Sequence, residues 1–354
     1  MIRREVRRLW RRVPAWLARG GYVASDALGW KYTVPGELRA CPACGDRRIE
    51  HLHPLPLHGR DDGKRVGFVS GCRRCGIVFA NPMPTAEVLA KLYSPGGDWG
   101  VPRQGEADEK RPSIKYLAKM FAPVRAEFDI ANPPPGSAAL DFGCGSGDLL
   151  DGLQQVGWTT CGIEPAVKSA FVRHRELQAI PTSPTFELAV AHHVLEHMRD
   201  PLNILRALYG CLKPGGFLFV SVPRLDALGR HRDYRYCIND RLHVVSYTRD
   251  AMTTLMGMAG FAAVDLNPPL GEEGSDWRAL QRLRMLGRKG GATTLHPEPL
   301  VAARRVFEEW FASEQPPWLS GWPPTSVRAA AAAMNFERGR RAGRRGRPQP
   351  RGES

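Results

Sequence analysis

The sequence predicts an α/β fold with a parallel sheet, preceded by a small cysteine-rich module. An apolar segment at 138–142 runs into glycines at positions 143, 145 and 147, and an amphipathic helical pattern follows at 148–156. A second strand is expected at 158–163, with Glu164 at its C-terminal end. Upstream, two Cys-x-x-Cys-Gly segments lie 27 residues apart. The 354-residue chain is long enough for one ordinary domain and a smaller one.

The glycine segment has the chemistry of a ligand-binding loop. Glycine tolerates positive φ and lets a ligand lie against the backbone, although such a triplet can also serve a tight chain reversal. Glu164 follows Gly143 by 21 residues, where a nucleoside ribose needs a hydrogen-bond acceptor. The spacing GxGxG differs from the GxGxxG of dinucleotide binders, so the expected ligand carries no pyrophosphate.

Four segments in order resemble the motifs of class I S-adenosylmethionine-dependent methyltransferases. They are residues 138–148, Gly162-Ile163-Glu164-Pro165, residues 186–197 and residues 212–220. The resemblance implies a Rossmann-like, doubly wound, mostly parallel seven-stranded sheet and S-adenosyl-L-methionine as cofactor. It covers roughly 41–93 and 114–287.

The resemblance also implies roles for individual residues. The glycines would form the cofactor floor, Asp141 would order the loop or reach the methionine ammonium, and Glu164 would bind the ribose hydroxyls. The full cofactor set is Asp141, Gly143, Cys144, Gly145, Gly147, Glu164 and His192. A covering helix at 114–130 would bring Tyr116 or Phe121 near the site.

Three histidines are candidates for catalysis on the acceptor side: His192, His193 and His243. Imidazole titrates near neutral pH and could remove a proton from the acceptor. Alternatively, His192 and His193 are polar strand-end residues that cap the next helix or contact the cofactor. Glu196 and His197 are interpreted as structural.

Cys41, Cys44, Cys72 and Cys75 predict a structural zinc site, because four thiolates complete a tetrahedral shell. A redox pair or disulfides are the alternatives. His51, His53 and His58 are expected to be ordinary loop or strand residues. Residues 41–93 resemble the zinc-ribbon-like N-terminal module of a subset of bacterial methyltransferases.

The net charge of +14 is concentrated at the ends of the chain. Residues 1–20 contribute +6 and residues 337–354 contribute +5, which leaves +3 between them. The first segment is a basic amphipathic helix in pattern, suited either to packing on a protein surface or to docking on an anionic membrane. With no apolar run of membrane-spanning length, a cytoplasmic location is expected, with peripheral membrane contact through this arm as an option.

These features predict four parts: a basic arm at 1–38, a zinc-ribbon-like module at 39–95, a methyltransferase domain at 96–290, and a helical extension with an Arg-rich disordered tail at 291–354. A linker or lid is expected at 94–112. Within the domain, we expect a helix from Pro165 to about Leu177, a turn at Lys213–Gly216, a basic loop at 224–241 for acceptor recognition or solvation, and closing strands at 261–266 and 279–286. Thr182, Ser183 and Thr185 are the polar residues expected after the third strand, where relatives commonly carry an acidic adenine-binding residue.

The predicted function is methyl transfer to a small molecule, a sugar, or an envelope-glycan or natural-product acceptor. Two alternatives are an RNA methyltransferase and a non-catalytic scaffold on the same fold. Whether carbon, nitrogen or oxygen is methylated stays open at this level, as does the oligomeric state.

Overall fold

The computed structural model describes residues 40–57, 65–93, 114–164, 172–174, 179–230, 237–238, 242–267 and 281–312. The strands are β1 (Ile49–Leu57), β2 (Arg65–Cys72), β3 (Val78–Asn81), β4 (Ala138–Phe142), β5 (Thr159–Ile163), β6 (Val172–His174), β7 (Phe186–His192), β8 (Leu212–Pro223), β9 (Val245–Ser246), β10 (Phe261–Asp265) and β11 (Arg282–Lys289). The helices are α1 (Ala86–Tyr93), α2 (Ile114–Met120), α3 (Asp148–Gln155), α4 (Pro201–Cys211), α5 (Arg249–Ala259) and α6 (Val301–Ala312), with 3-10 turns at Ala122–Val124, Leu195–His197 and Leu225–Arg230. None of these described helices has the length and apolar character needed to cross a bilayer. The predicted arm at 1–38, the linker at 94–112, His58, and the extension beyond 312 lie outside the described residues.

The larger sheet has seven strands in the order β10-β11-β8-β7-β4-β5-β6. From β6 to β8 the strands are parallel, whereas β11 and β10 run antiparallel at one edge. The chain winds outward from β4 to β6 in one direction and from β7 onward in the other. This order confirms the predicted doubly wound, mostly parallel fold.

Alternating side chains of the central strands cover both faces of this sheet. Leu140 and Phe142 of β4 pack in one apolar cluster with residues of α4 and α5. Ala139 belongs to a second cluster on the other face, with residues of α2 and α3. Because a strand has a two-residue period, an apolar run buried on both faces fixes the register of β4 between two helical layers.

The predicted helix at 114–130 was too long. It ends at Met120 and is followed by a 3-10 turn at Ala122–Val124 that contains Pro123. Proline lacks the backbone N–H of a continuing helix and its ring clashes with the preceding turn, which explains the early end.

The helix predicted from Pro165 to about Leu177 was wrong at 172–174, whereas 165–171 and 175–177 lie outside the described residues. Residues 172–174 form β6, the outermost parallel strand, which pairs with Gly162 and Ile163 of β5. Three residues are too few for a visible period of alternation, so pairing with the existing sheet edge decides their conformation.

Two smaller differences concern β8 and β11. Lys213–Gly216 was expected to be a turn, but β8 already begins at Leu212 and has an irregular register between the pairs with Phe186 and Leu188. The extra residues are accommodated there as a bulge, with Gly215 at φ 77°. The last strand begins at Arg282, three residues later than expected.

The cysteine-rich module forms a separate four-stranded sheet, in the order β1-β2-β3-β9. Its fourth strand, β9, comes from the methyltransferase-like part of the chain and pairs with Val78 and Phe79 of β3. Arg304 of α6 forms an ion pair with Glu50 of β1 at 2.8 Å, and the apolar residues Leu300 and Phe307 pack in one cluster with Leu52 of β1. The module is therefore built from three distant parts of the chain.

Tyr247 connects this module to the larger sheet. It directly follows β9, its side chain is fully buried, and its hydroxyl donates a hydrogen bond of 2.8 Å to the Leu195 carbonyl. Burial raises the pKa of Tyr247 well above its ordinary value, so the hydroxyl stays a donor.

We predict that Tyr247→Phe lowers the free energy of unfolding by about 1 kcal/mol, because a buried neutral hydrogen bond is lost. Chemical denaturation followed by circular dichroism measures the change. Tyr209→Phe is the matched control, since the structure records ring contacts for Tyr209 with Phe261 and Lys289 but no hydrogen bond of its hydroxyl among the described residues. Equal effects of the two substitutions would contradict the proposed connection.

Candidate functional site

The candidate site lies where β5, β4 and β7 end at the same edge of the sheet. β4 pairs in parallel with both neighbours, so Ile163, Phe142 and His192 are their last residues at this edge. The winding direction changes between β4 and β7. In open α/β sheets, ligands bind in the crevice at this switch point.

The glycine loop after β4 has a backbone that requires glycine. Gly143, Gly145 and Gly147 have φ values of 78°, 53° and 92°. A Cβ placed on Gly143 would lie 2.8 Å from the Val194 side chain, which is closer than real Cβ contacts. Gly147 is the N-cap of α3, so the loop leads into a helix N-terminus.

Glu164 holds this loop from the end of β5. Its carboxylate accepts a hydrogen bond of 2.9 Å from the Gly145 amide, and Glu164 is largely buried. The backbone N–H groups of Gly143 and Cys144 donate to the Ile163 carbonyl, at 2.8 and 3.2 Å. The sequence-predicted glycines and Glu164 are therefore brought together.

The other two cofactor candidates beside the loop are buried. Asp141 lies on β4 with 3% of its surface exposed. The Cys144 side chain is completely buried, so its contribution to a loop ligand would come from the backbone.

Thr182, Ser183 and Thr185 do not belong to this site. They are exposed and precede the first residue of β7, at the opposite edge of the sheet. Because β6 ends at His174, the residues that follow the third strand are 175–178, which include Glu176 and lie outside the described residues. An acidic residue thus follows β6 in sequence, as in the resembled family.

His193 stands at the end of β7 in an unusual conformation. It is the one non-glycine residue with positive φ, 53°, in the described part of the chain. Its Nδ1–H donates to the Glu196 Oε1 atom at 3.0 Å, because an ionised carboxylate can only accept. This tautomer has its lone pair on Nε2. A residue held in a sparsely populated conformation at a strand end is typical of functional sites.

Glu196 is an ionised carboxylate inside the protein. Burial opposes its ionisation, but the hydrogen bond from His193 and the charges of His193, His197 and His243 lower its pKa to about 2. The side chain is about 1% exposed. A buried charge needs such partners, and Glu196 has them among the neighbouring histidines.

His197 and His243 lie beside this carboxylate, and His192 lies beside His193. The His192 ring lies 4.7 Å from that of His193, and the His197 ring lies 4.9 Å from that of His243. His197 Nδ1 donates to the Leu242 carbonyl at 2.9 Å, and burial lowers the pKa of this histidine. The structure thus brings the three predicted histidines together and adds Glu196 and His197, which the sequence interpretation had treated as structural. The only sequence signal for a functional role of Glu196 and His197 was that both side chains can ionise.

Phe121 and Tyr116, the two residues expected near the cofactor, both contact Phe219 of β8. Phe121 is buried against Phe128, Phe217 and Phe219 in the core. Tyr116 contacts Phe219 edge to face at 6.3 Å between ring centroids. Phe121 is therefore a packing residue, and proximity of Tyr116 to the cofactor stays a prediction.

The predicted loop at 224–241 begins inside the protein at Arg224, and acceptor recognition by the rest of the loop stays a prediction. Arg224 is completely buried and its Nε atom lies 3.2 Å from Asp226 Oδ1. Residues 231–236 and 239–241 lie outside the described residues.

The four cysteines form one cluster in the module. Cys41 and Cys75 have sulfurs 3.5 Å apart, as do Cys44 and Cys72, and all four sulfurs lie within 4.8 Å of one another. A disulfide would place sulfurs about 2.05 Å apart, whereas tetrahedral zinc with Zn–S of about 2.3 Å separates them by roughly 3.8 Å. The adjacent sulfurs and burial raise the pKa of Cys75, whereas the adjacent sulfurs lower the pKa of Cys44.

The histidines of the module are outside this cluster. His51 lies on β1 with its Nδ1 atom 2.9 Å from Ser70 Oγ, and its ring stacks on Phe68. His53 is part of the same strand.

The comparisons with known proteins agree with this architecture. A family described as "Methyltransferase domain" matches residues 114–266. The ubiquinone biosynthesis O-methyltransferase of Bordetella avium is 30% identical over 117 residues, which are 28% of this chain and 48% of that protein. Its counterpart from Thiobacillus denitrificans is 33% identical over 122 residues, or 30% of this chain and 53% of that protein. The chain thus spans about half the length of the curated relatives it matches.

Solved structures show weaker similarity. The 1,6-didemethyltoxoflavin-N1-methyltransferase of Burkholderia thailandensis, solved with 1,6-didemethyltoxoflavin and S-adenosylhomocysteine, is 17% identical, with a TM-score of 0.41 over 67% of this chain and 99% of that one. An S-adenosylmethionine-dependent methyltransferase from Mesorhizobium loti has 15% identity and a TM-score of 0.36, over 50% of this chain and 98% of that one. Residues 114–266 of this chain thus match a methyltransferase domain family, and the sheet has the strand order expected of a class I S-adenosylmethionine-dependent methyltransferase fold.

Proposed function

We propose that this chain transfers a methyl group from S-adenosylmethionine to a hydroxyl oxygen of a small-molecule acceptor. The observation that carries the proposal is the position of two groups at one sheet edge. One is the glycine loop held by Glu164, and the other is the His193–Glu196 pair. Val194, which follows His193, packs directly on Gly143 and so connects the two groups.

The loop residues fit the cofactor. The three glycines have positive φ and no side chain, so a ligand can lie against the backbone. Because Gly143 has no Cβ, the loop can also pack closely against Val194. The buried Glu164 carboxylate can accept hydrogen bonds from ribose hydroxyls while it retains its bond to the Gly145 amide. The bound cofactor would supply an electrophilic methyl carbon.

The histidine pair supplies what an oxygen acceptor needs. A hydroxyl becomes a better nucleophile as it loses its proton, and His193 Nε2 can accept that proton while Glu196 stabilises the resulting imidazolium. The acceptor oxygen forms a bond to the methyl carbon, the carbon–sulfur bond breaks, and its electron pair stays on sulfur. Otherwise the protein holds donor and acceptor in line and excludes water.

The relatives named O-methyltransferases support the choice of oxygen. Sugars, envelope glycans and natural products are acceptors within the proposed class. Methylation of RNA and a scaffold without turnover are the competing functions. The Arg-rich ends of the chain, which motivate RNA methylation, lie outside the described residues, and no contact among the described residues favours that function.

We further propose that the cysteine cluster holds structural zinc. The two Cys-x-x-Cys-Gly segments place four sulfurs at the spacing of one tetrahedral ion, and their glycines, Gly45 and Gly76, have φ values of 70° and 78°. Four thiolate ligands leave zinc no open position for a substrate.

Glu164→Ala should weaken S-adenosylmethionine binding at least about tenfold, because hydrogen bonds to a charged group contribute about 1.5–3 kcal/mol. Isothermal titration calorimetry measures the dissociation constant. Glu127→Ala, at an exposed ion pair with Arg288, is the control and should leave it unchanged. Unaltered affinity in the Glu164 variant would remove the assigned role.

His193→Ala should lower the rate of methyl transfer about 100-fold while cofactor affinity changes less than about threefold, as expected for loss of a general base. Transfer of tritiated methyl to fractionated hydroxylated small molecules, glycans, lipids and RNA measures it. His51→Asn, a histidine change in the module, is the control.

The same assay tests the proposed function. If nuclease treatment removes the tritium label, the acceptor is RNA and the proposed function is wrong. Saturable cofactor binding without any labelled product would favour a scaffold.

Cys44→Ser should remove the thiolate-bound zinc and lower the melting temperature, because a structural metal contributes directly to folding. Elemental analysis after dialysis against a weak chelator gives the zinc content, and thermal denaturation gives the stability. Cys161→Ser, outside the cluster, should retain both. Equal zinc content in the two variants would argue against the assignment.

A further inference from the structure

We propose that Glu196, His197 and His243 bind a divalent transition-metal ion at the acceptor side of the site. The argument for ion binding uses only the geometry of these three residues, whereas the role of the ion in catalysis rests on the proposed function. This three-residue group is called the His–Glu cluster below.

The His–Glu cluster offers the ligand set of a metal site with open positions. One carboxylate oxygen of Glu196 and one ring nitrogen each of His197 and His243 lie within 4.8 Å of one another. Two imidazoles and one carboxylate suit zinc, manganese, cobalt or iron(II). At metal–ligand distances of about 2.1 Å, ligand atoms are at most about 4.2 Å apart, so binding would draw the three side chains slightly together.

Glu196 provides the independent observation. It is completely buried, and its Oε1 atom accepts the hydrogen bond from His193. Its Oε2 atom is also buried and has no hydrogen-bond partner in the described structure. A buried carboxylate oxygen without a donor costs free energy unless a cation compensates it. A metal at this oxygen would complete the coordination of Glu196 without disturbing His193.

The supporting residues orient the histidines as in known metal sites. His197 Nδ1 donates to the Leu242 carbonyl at 2.9 Å, which fixes the ring and assigns the lone pair to Nε2. Ligating histidines in proteins usually have their other nitrogen bonded in this way. His243 directly follows Leu242, so one chain segment supplies both a ligand and the group that orients another ligand.

The position of the His–Glu cluster gives the ion a role in the proposed reaction. Three protein ligands leave coordination positions open, which distinguishes this cluster from the four-cysteine site. A hydroxyl oxygen of the acceptor could bind there and become more acidic, with His193 beside it to take the proton. We therefore expect acceptors with an oxygen that can coordinate a metal.

Manganese(II) separates this site from the cysteine cluster, because manganese prefers oxygen and nitrogen ligands to thiolates. The full chain, with zinc at its cysteines and weakly held zinc removed by dialysis against a weak chelator, is titrated with Mn²⁺ alone, and bound ion is followed by electron paramagnetic resonance. We expect one Mn²⁺ per chain in the unmodified protein. Glu196→Gln and His243→Asn should each weaken binding at least tenfold.

His296→Asn is the matched control, since His296 is about 40% exposed and lies 3.8 Å from Asp250 rather than in the His–Glu cluster. Retained S-adenosylmethionine binding shows that a variant is folded. Two ligand variants are used so that the test can proceed if one of them fails to fold. Absence of Mn²⁺ binding up to about 1 mM by the unmodified protein, or unchanged affinity in both folded ligand variants, would overturn the proposal. Because this readout involves no methyl transfer, failure of the metal site and failure of the proposed reaction are distinguished.

Discussion

Parallel pairing of β4 with β5 on one side and β7 on the other determines the position of the glycine loop, Glu164 and the residues that follow β7. Asp141 pairs with Gly162 and with Val190, so the three strands keep a common register as far as Asp141, and Phe142 pairs with Ile163 beyond it. The glycine loop, Glu164, His193 and Glu196 then follow as direct continuations of these strands. Apolar side chains on both faces hold that register, because a shift of one residue would exchange the two faces of β4.

Local sequence was sufficient for the central strands and their loop. The apolar run before Gly143 and the N-cap Asp200, which accepts from the Asn203 amide, carry their structural information within a few residues. The short β6 could not be predicted in this way, since its conformation comes from pairing with β5. Pro123 did carry a local signal for the end of α2.

The histidine site shows a different limit. His193 and Glu196 are three residues apart, and their hydrogen bond forms within one turn of chain. His243 is 46 residues beyond His197, yet their rings lie 4.9 Å apart because β9 and Tyr247 carry this segment across the module and back to the sheet edge. Sequence spacing identified the residue types, but only the tertiary structure shows that the buried Glu196 is their common neighbour.

The contribution of β9 to the module sheet has a consequence for separating the parts of this chain. A fragment that ends before residue 245 would lack the strand that covers the open edge of β3, and a fragment that begins after residue 93 would leave β9 without its partner. Each piece would present unpaired peptide groups capable of joining another chain edge to edge. Fusion, exchange or isolated expression of the cysteine-rich part therefore has to include this short donated strand.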